Sequence, residues 1–182
     1  MSKVRIIPRE DGGDIVKIED CKVVTPFNNF SGNYGYNGAQ DPNRRTMTII
    51  IDDENVAQYL TEHNWRVKLG QNGEKLLPIN VSYRFYDPTS ENPIPTIIKI
   101  DPKTGIKMNM LEETVGQLDD FRVREGFKYC DVLFKGSLQK DGMISAYLHW
   151  MQVIPNYSEA MEEIANMENS LESKIANGWE EA

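Results

Sequence analysis

The sequence predicts a mainly β chain with short α elements, folded as a small Greek-key barrel, and three observations carry that prediction. Leu77–Phe85 alternates, with Ile79, Val81, Tyr83 and Phe85 on one face and Asn80, Ser82 and Arg84 on the other, which is the period of a half-buried strand. Val132–Leu138 and Met143–Ile154 are joined through Gln139-Lys-Asp-Gly142, and an Asp-Gly pair between apolar runs is a strong hairpin signal. The remaining extended runs are short and separated by turn residues, without internal repeat. That pattern suits a barrel of the OB type better than a sandwich or a parallel sheet.

Taken in order, Ile15–Thr25 reads as the first strand and Thr46–Ile51 as the second. Asp52-Asp53-Glu54 opens a short helix to about Glu62, with Asp52 or Asp53 as N-cap and Val56, Tyr59 and Leu60 as its apolar face. Trp65–Leu69 resumes extended structure, and Gly70-Gln-Asn-Gly73 turns into the alternating strand. Ile94–Ile100 is a further strand; Pro93 and Pro95 cannot donate to a ladder, which places its start at an edge. Leu111–Asp120 reads as a short helix or turn. After the hairpin, Asn156-Tyr-Ser-Glu159 has the spacing of a capping box, and Tyr157, Met161, Ile164, Leu171 and Ile175 sketch the apolar face of a long helix ended by Gly178. The expected organisation is a barrel domain over 1–154 and an acidic helix and tail over 155–182.

Composition narrows the function classes. The 182 residues carry a net charge of −8, which would repel phosphate if spread evenly. From Pro155 onward, however, seven glutamates face only Lys174, so the body of the chain is close to neutral and can carry a local basic groove. No run approaches the roughly 20 apolar residues of a membrane-spanning helix, and the N-terminus lacks the apolar stretch of a signal peptide, so a cytoplasmic location without membrane contact is expected. Cys21 and Cys130 lack metal or redox spacing and read as small buried hydrophobes. His63 and His149 stand alone, so neither metal nor cofactor is expected. Gly70-Gln-Asn-Gly73-Glu-Lys75 lacks the spacing and the hydroxyl residue of a phosphate loop, and the acidic clusters Asp52-Asp53-Glu54 and Asp119-Asp120 read as a helix start and a solvated turn. No nucleophile, base and orienting group assemble, so the chain is not expected to be an enzyme.

Binding is better supported. Between Pro26 and Arg45, Phe27, Phe30, Tyr34 and Tyr36 sit among glycines and asparagines, residues that favour turns, and the loop ends in Arg44 and Arg45. Rings beside cations are what stacking on unpaired bases requires. In the alternative reading the rings fold back and pin a long surface loop.

The sequence resembles the phage-encoded single-stranded-DNA-binding proteins of the OB-fold type over about Val16 to Ile154. The likeness rests on Phe27-Asn-Asn-Phe-Ser-Gly32, Asn43-Arg-Arg-Thr-Met-Thr-Ile-Ile-Ile-Asp52 with its following helix, and Asn64-Trp-Arg-Val-Lys68. It continues in Leu77-Pro-Ile-Asn-Val-Ser-Tyr83, Asp131-Val-Leu-Phe-Lys-Gly136 and Gly142-Met-Ile-Ser-Ala-Tyr-Leu148. Phe134-Lys-Gly-Ser137 departs from the basic-aromatic step of that family. The resemblance implies sequence-tolerant binding of single-stranded DNA in replication, recombination or repair. Bases would stack on Phe27, Phe30, Tyr34, Tyr36 and also Trp65 and Tyr83, while Lys22, Arg44, Arg45, Arg66, Lys68 and Arg84 track phosphates. For Trp65 and Tyr83 the core is the favoured place, since a Trp just after a helix and a Tyr on an alternating strand face are more often core than stacking platforms. The acidic end, with Trp179, Glu180 and Glu181, resembles tails of such proteins that compete with DNA and recruit a polymerase or helicase. Self-association is left open by the sequence. A protein-interaction or virion-structural barrel is the other class considered, because loops rich in Tyr, Asn, Ser and Gly also suit protein surfaces.

Overall fold

A computed structural model of the chain describes residues 3–24, 28–33, 38–83, 94–121 and 126–156, with the side chains of residues 120 and 121 excepted. The described chain is mainly β. Its strands are β1 (Lys3–Ile7), β2 (Ile15–Glu19), β3 (Lys22–Val23), β4 (Arg45–Ile51), β5 (Lys68–Leu69), β6 (Lys75–Val81), β7 (Thr96–Ile100), β8 (Lys107–Met110), β9 (Phe127–Leu138) and β10 (Ile144–Pro155). One helix, α1 (Glu54–Glu62), lies between β4 and β5, and a 3-10 helix spans Val115–Phe121.

All ten strands join one mixed sheet, whose main path runs β1-β2-β9-β10-β6-β4-β3. Neighbours are antiparallel except where β10 meets β6 and β7, which are parallel to it. The expected first strand is a single run bent in the middle. Asp20 adopts φ +53, a left-handed conformation that aspartate tolerates better than most residues. Its amide donates to Asp131 Oδ1 at 2.8 Å, and the Cys21 amide donates to the Cys130 carbonyl at 2.6 Å. Before the bend the chain pairs with β9, and after it with β4. The two flanks of the sheet path are therefore tied by one covalent segment.

Helix α1 begins where the acidic cluster predicts. Asp53 is the N-cap, its carboxylate accepting from the amides of Asn55 and Val56. Ala57 and Leu60 are its buried residues, while Val56 and Tyr59 are half-buried against the core. The alternating strand forms as β6 but starts earlier and ends at Val81. Pro78 is accommodated because β5 pairs with Lys75 and Leu76 and β10 with Ile79 and Asn80, leaving the proline between two partners on that edge. The ladder of β7 begins at Thr96, after Pro95; that first residue pairs with β10 alone, as the prolines suggest, and from Ile97 onward the strand lies between β10 and β8. β1 and β8 were not predicted, since Lys3–Ile7 and Lys107–Met110 alternate too briefly and too openly to stand out. The hairpin of β9 and β10 turns at Gly142, φ +83, as its Asp-Gly pair predicts. β10 runs to Pro155, and the expected terminal helix and acidic tail lie outside the described residues.

The core sits inside the curled sheet, built by Val16, Met47, Ile49, Leu77, Ile79, Val132, Phe134, Met151 and Val153 with Leu60 from the helix. Cys21 and Cys130 are buried free thiols, and burial pushes both well above their ordinary pKa. Trp65 closes one end, 2% exposed and edge-on to Phe134 at 5.8 Å between ring centroids. Gly136 makes this closure fit. A Cβ there would lie 2.6 Å from the Gly12 carbonyl oxygen and 2.8 Å from Trp65 Cζ2. Gly136→Ala is therefore expected to destabilise the fold by about 1–3 kcal/mol, the usual cost of overpacking. A lowered urea midpoint at unchanged slope would show it, and a wild-type midpoint would mean that the Gly12 backbone and the Trp65 ring both give way freely.

Candidate nucleic-acid interface

The opening loop is built on its own base. Asn29 exchanges backbone hydrogen bonds with Thr46, and the Asn33 amide donates to the Arg44 carbonyl at 3.0 Å. Asp119, from the 3-10 helix, accepts from the amides of Phe30 and Ser31 at 2.7 and 2.9 Å. Ser31 Oγ donates to the Gly116 carbonyl. The acidic pair read as a solvated turn thus includes a clamp on the loop. Phe30 turns inward, wholly buried, with its ring 6.3 Å from that of Phe127. This corrects the expectation of a base-stacking ring, because a fully buried side chain offers no free face.

Arg45 is also a structural residue and not a phosphate ligand. It is 7% exposed; Nε donates to the Phe30 carbonyl at 2.9 Å, the guanidinium lies 5.2 Å from the Tyr83 ring centroid, and Nη1 is 3.6 Å from Glu112 Oε1. Those partners offset the cost of taking the guanidinium out of water. Tyr83 is half-buried beneath it, and its hydroxyl has no partner among the described residues. Burial pushes that phenol up to about 12; Arg45 opposes the shift, and Glu112 and Glu113 reinforce it. Trp65 belongs to the core, the place favoured for it, and is withdrawn as a stacking ring.

The other expected cations divide. Arg66 is engaged in closing the hairpin, Nε donating to Ser145 Oγ at 3.0 Å and Nη2 to Asp141 Oδ2 at 2.8 Å. The Met143 amide and then Arg66 hold the Asp141 carboxyl below its ordinary pKa. Arg44 is exposed at the loop's end. Lys22 and Lys68 are exposed and share one transverse row, Lys22-Ile50-Leu76-Lys68, across β3, β4, β6 and β5. Phe27, Tyr34, Tyr36, Arg84, Trp179, Glu180 and Glu181 lie outside the described residues.

A second group of residues was missed. The register aligns Thr46, Asn80, Tyr147, Lys135 and Ile15 in one row across β4, β6, β10, β9 and β2. The next row carries Trp150, Leu133, Lys17 and Arg5. These positions alternate with the buried Val16, Ile79, Ala146 and Phe134, so they face outward. Lys17 Nζ stands 5.9 Å from the Trp150 ring centroid. Tyr147 and Trp150 are three residues apart and would sit on opposite faces of a regular strand. A β-bulge between Leu148 and Trp150 shifts the phase and puts both rings outside. The sequence has no sign of that bulge, so an aromatic and cationic strip went unseen.

Among the described residues no cluster of His, Cys, Asp and Glu could hold a metal ion, and no helix is long and apolar enough to cross a membrane. Compared with known proteins, the chain matches no protein family, no curated protein and no solved structure.

His149, the bulged residue, is half-buried, and its Nε2 has no partner among the described residues. Burial, and then the positive charge of Lys135, lowers its pKa below the ordinary 6.5. The unfolded chain therefore takes up the proton more readily than the folded one. Stability is fully present above the unfolded value and is lost as pH falls through it toward the folded value. The melting temperature is expected to drop between about pH 7.5 and about pH 5.5, with His149→Gln flattening that part of the curve. Parallel melting profiles for the variant and the wild type across that window would refute the assignment.

Proposed function

We propose that the chain is a sequence-tolerant single-stranded-DNA-binding protein on an OB-type barrel, akin to the phage-encoded proteins that its sequence resembles. The observation that carries the reading is the outward strip in which Tyr147 stands between Asn80 and Lys135 while Lys17 lies beside Trp150. Rings supply sequence-independent stacking and the lysines neutralise phosphate.

The connectivity supports the barrel. With β2 and β3 counted as one bent strand, the order is that strand, β4, β6, β10 and β9, returning to the first, and β6 and β10 are parallel. A five-stranded, partly open Greek-key barrel has this pattern, and such barrels bind oligonucleotides on the face of their second and third strands and on the neighbouring loops. Here those strands are β4 and β6, which supply Thr46 and Asn80, and the long loop ending at Arg44 lies beside them. No group on the strip has to perform chemistry. The acidic segment from residue 157 stays, in this proposal, the part that competes with DNA and meets replication partners inside the cell.

A protein-binding role is the second reading. It is favoured by Ile106, Met108 and Leu111, which are 65%, 48% and 56% exposed on and beside the edge strand β8. Lys107 on the same strand guards that edge against pairing, which weakens the case.

Fluorescence anisotropy with labelled oligo-dT separates the two. Tyr147→Ala and Trp150→Ala should each lower affinity about tenfold, within the roughly 1–3 kcal/mol that a base stack contributes. Log affinity should fall with log salt at a slope no steeper than about −3.5, since Lys17, Lys22, Lys68, Lys135 and Arg44 offer about five phosphate contacts at about −0.7 each. Wild-type affinity in both folded aromatic variants would remove the strip as the site. Failure to bind any single strand at low salt would remove the function.

A further inference from the structure

A cavity of about 620 Å³ opens between the end of β6 and the β7–β8 hairpin, with Tyr83, Thr96, Met110, Glu112 and Glu113 in its walls. Its volume is that of a small-molecule site. It adjoins the outward strip through Arg45, which precedes Thr46 in β4 and joins Tyr83 to Glu112. Its chemistry is uneven. Ile94 and Leu111 offer exposed apolar surface, two carboxylates offer acceptors, and Tyr83 offers a buried hydroxyl without a partner. A buried orphan hydroxyl destabilises a fold unless something completes it. Among the described residues nothing does.

We propose that this cavity takes one unstacked pyrimidine of the bound strand and prefers cytosine to thymine. The proposal rests on single-strand binding as read above and adds a base preference to it. Carboxylates only accept, so Glu112 and Glu113 match the N4 amine of cytosine, which donates. Thymine carries a carbonyl oxygen at that place, and acceptor would meet acceptor. Once cytosine is seated, its O2 accepts from the Tyr83 hydroxyl, a contact that thymine, turned away by its O4, does not make. That phenol is a donor at neutral pH, as any tyrosine is, and burial raises its pKa further. Glu112 keeps Arg45 as its counter-ion at 3.6 Å, and Glu113 is exposed at the rim. Met110, wholly buried behind them, gives the ring an apolar wall.

The test is competition anisotropy on the full chain with oligo-dC, oligo-dT and oligo-dU of equal length at one salt concentration. Phosphate number is then constant, and oligo-dU separates the amine from the missing methyl group. Oligo-dC is expected to bind about tenfold more tightly, a modest value for one base-edge contact, while oligo-dU follows oligo-dT. Tyr83→Phe and Glu113→Gln should each narrow the ratio and leave oligo-dT affinity close to wild type. Tyr83→Phe should melt no lower than wild type, since the hydroxyl that it removes has no hydrogen-bond partner among the described residues. Equal affinity for the three oligonucleotides, or a ratio that neither folded variant changes, overturns the pocket and leaves single-strand binding standing. Absence of binding to all three overturns both.

Discussion

The arrangement depends on one bend in the backbone. Asp20 and Cys21 hand their amides to Asp131 and Cys130, and those two bonds redirect the chain from β9 to β4. Without the redirection the β2 run would end on one flank of the sheet, and β4 would lose the partner that completes it. The acceptor is itself held: Asp131 is 8% exposed and also receives the Tyr129 hydroxyl at 2.9 Å. A carboxylate that accepts from both a backbone amide and a hydroxyl is fixed in place, which is why a short polar step can set the path of an otherwise apolar strand.

The loop that follows obeys the same logic at its base. Asp119 takes the amides of Phe30 and Ser31, Arg45 takes the Phe30 carbonyl, and Phe30 itself fills core. Charged side chains satisfy backbone groups that no strand can reach, so a segment rich in glycine and asparagine keeps a defined exit. Gly32 belongs to this device. At φ +104 it passes against the Asp41 carbonyl, where a side chain would collide. The arginine next to the loop is thus spent on architecture, and Arg44 is the one that remains at the surface.

Surface chemistry is arranged by register. Outward positions of β4, β6, β10, β9 and β2 fall into rows, and the bulge at His149 brings Tyr147 and Trp150 to the same side. The same bulge marks a change of neighbour, since β10 pairs with β6 before it and with β7 after it. A local irregularity therefore does two things: it lets the sheet branch, and it collects two rings beside Lys17 and Lys135.

The sequence by itself determined the local elements. Alternation set β6, the Asp-Gly turn set the β9–β10 hairpin, and an aspartate N-cap set α1, because each depends on residues a few positions apart. It determined too that Cys21 and Cys130 would be buried. Only the tertiary structure decided which aromatics and cations face solvent. Phe30, Arg45 and Trp65 have the composition of a binding site, yet they are enclosed by Phe127, Glu112 and Phe134, partners far away in the chain. Tyr147, Trp150, Lys17 and Lys135 look like ordinary strand residues and become a strip through cross-strand register and one bulged residue. Burial and register are properties of pairs distant in sequence, and a pattern read along one strand carries no information about either.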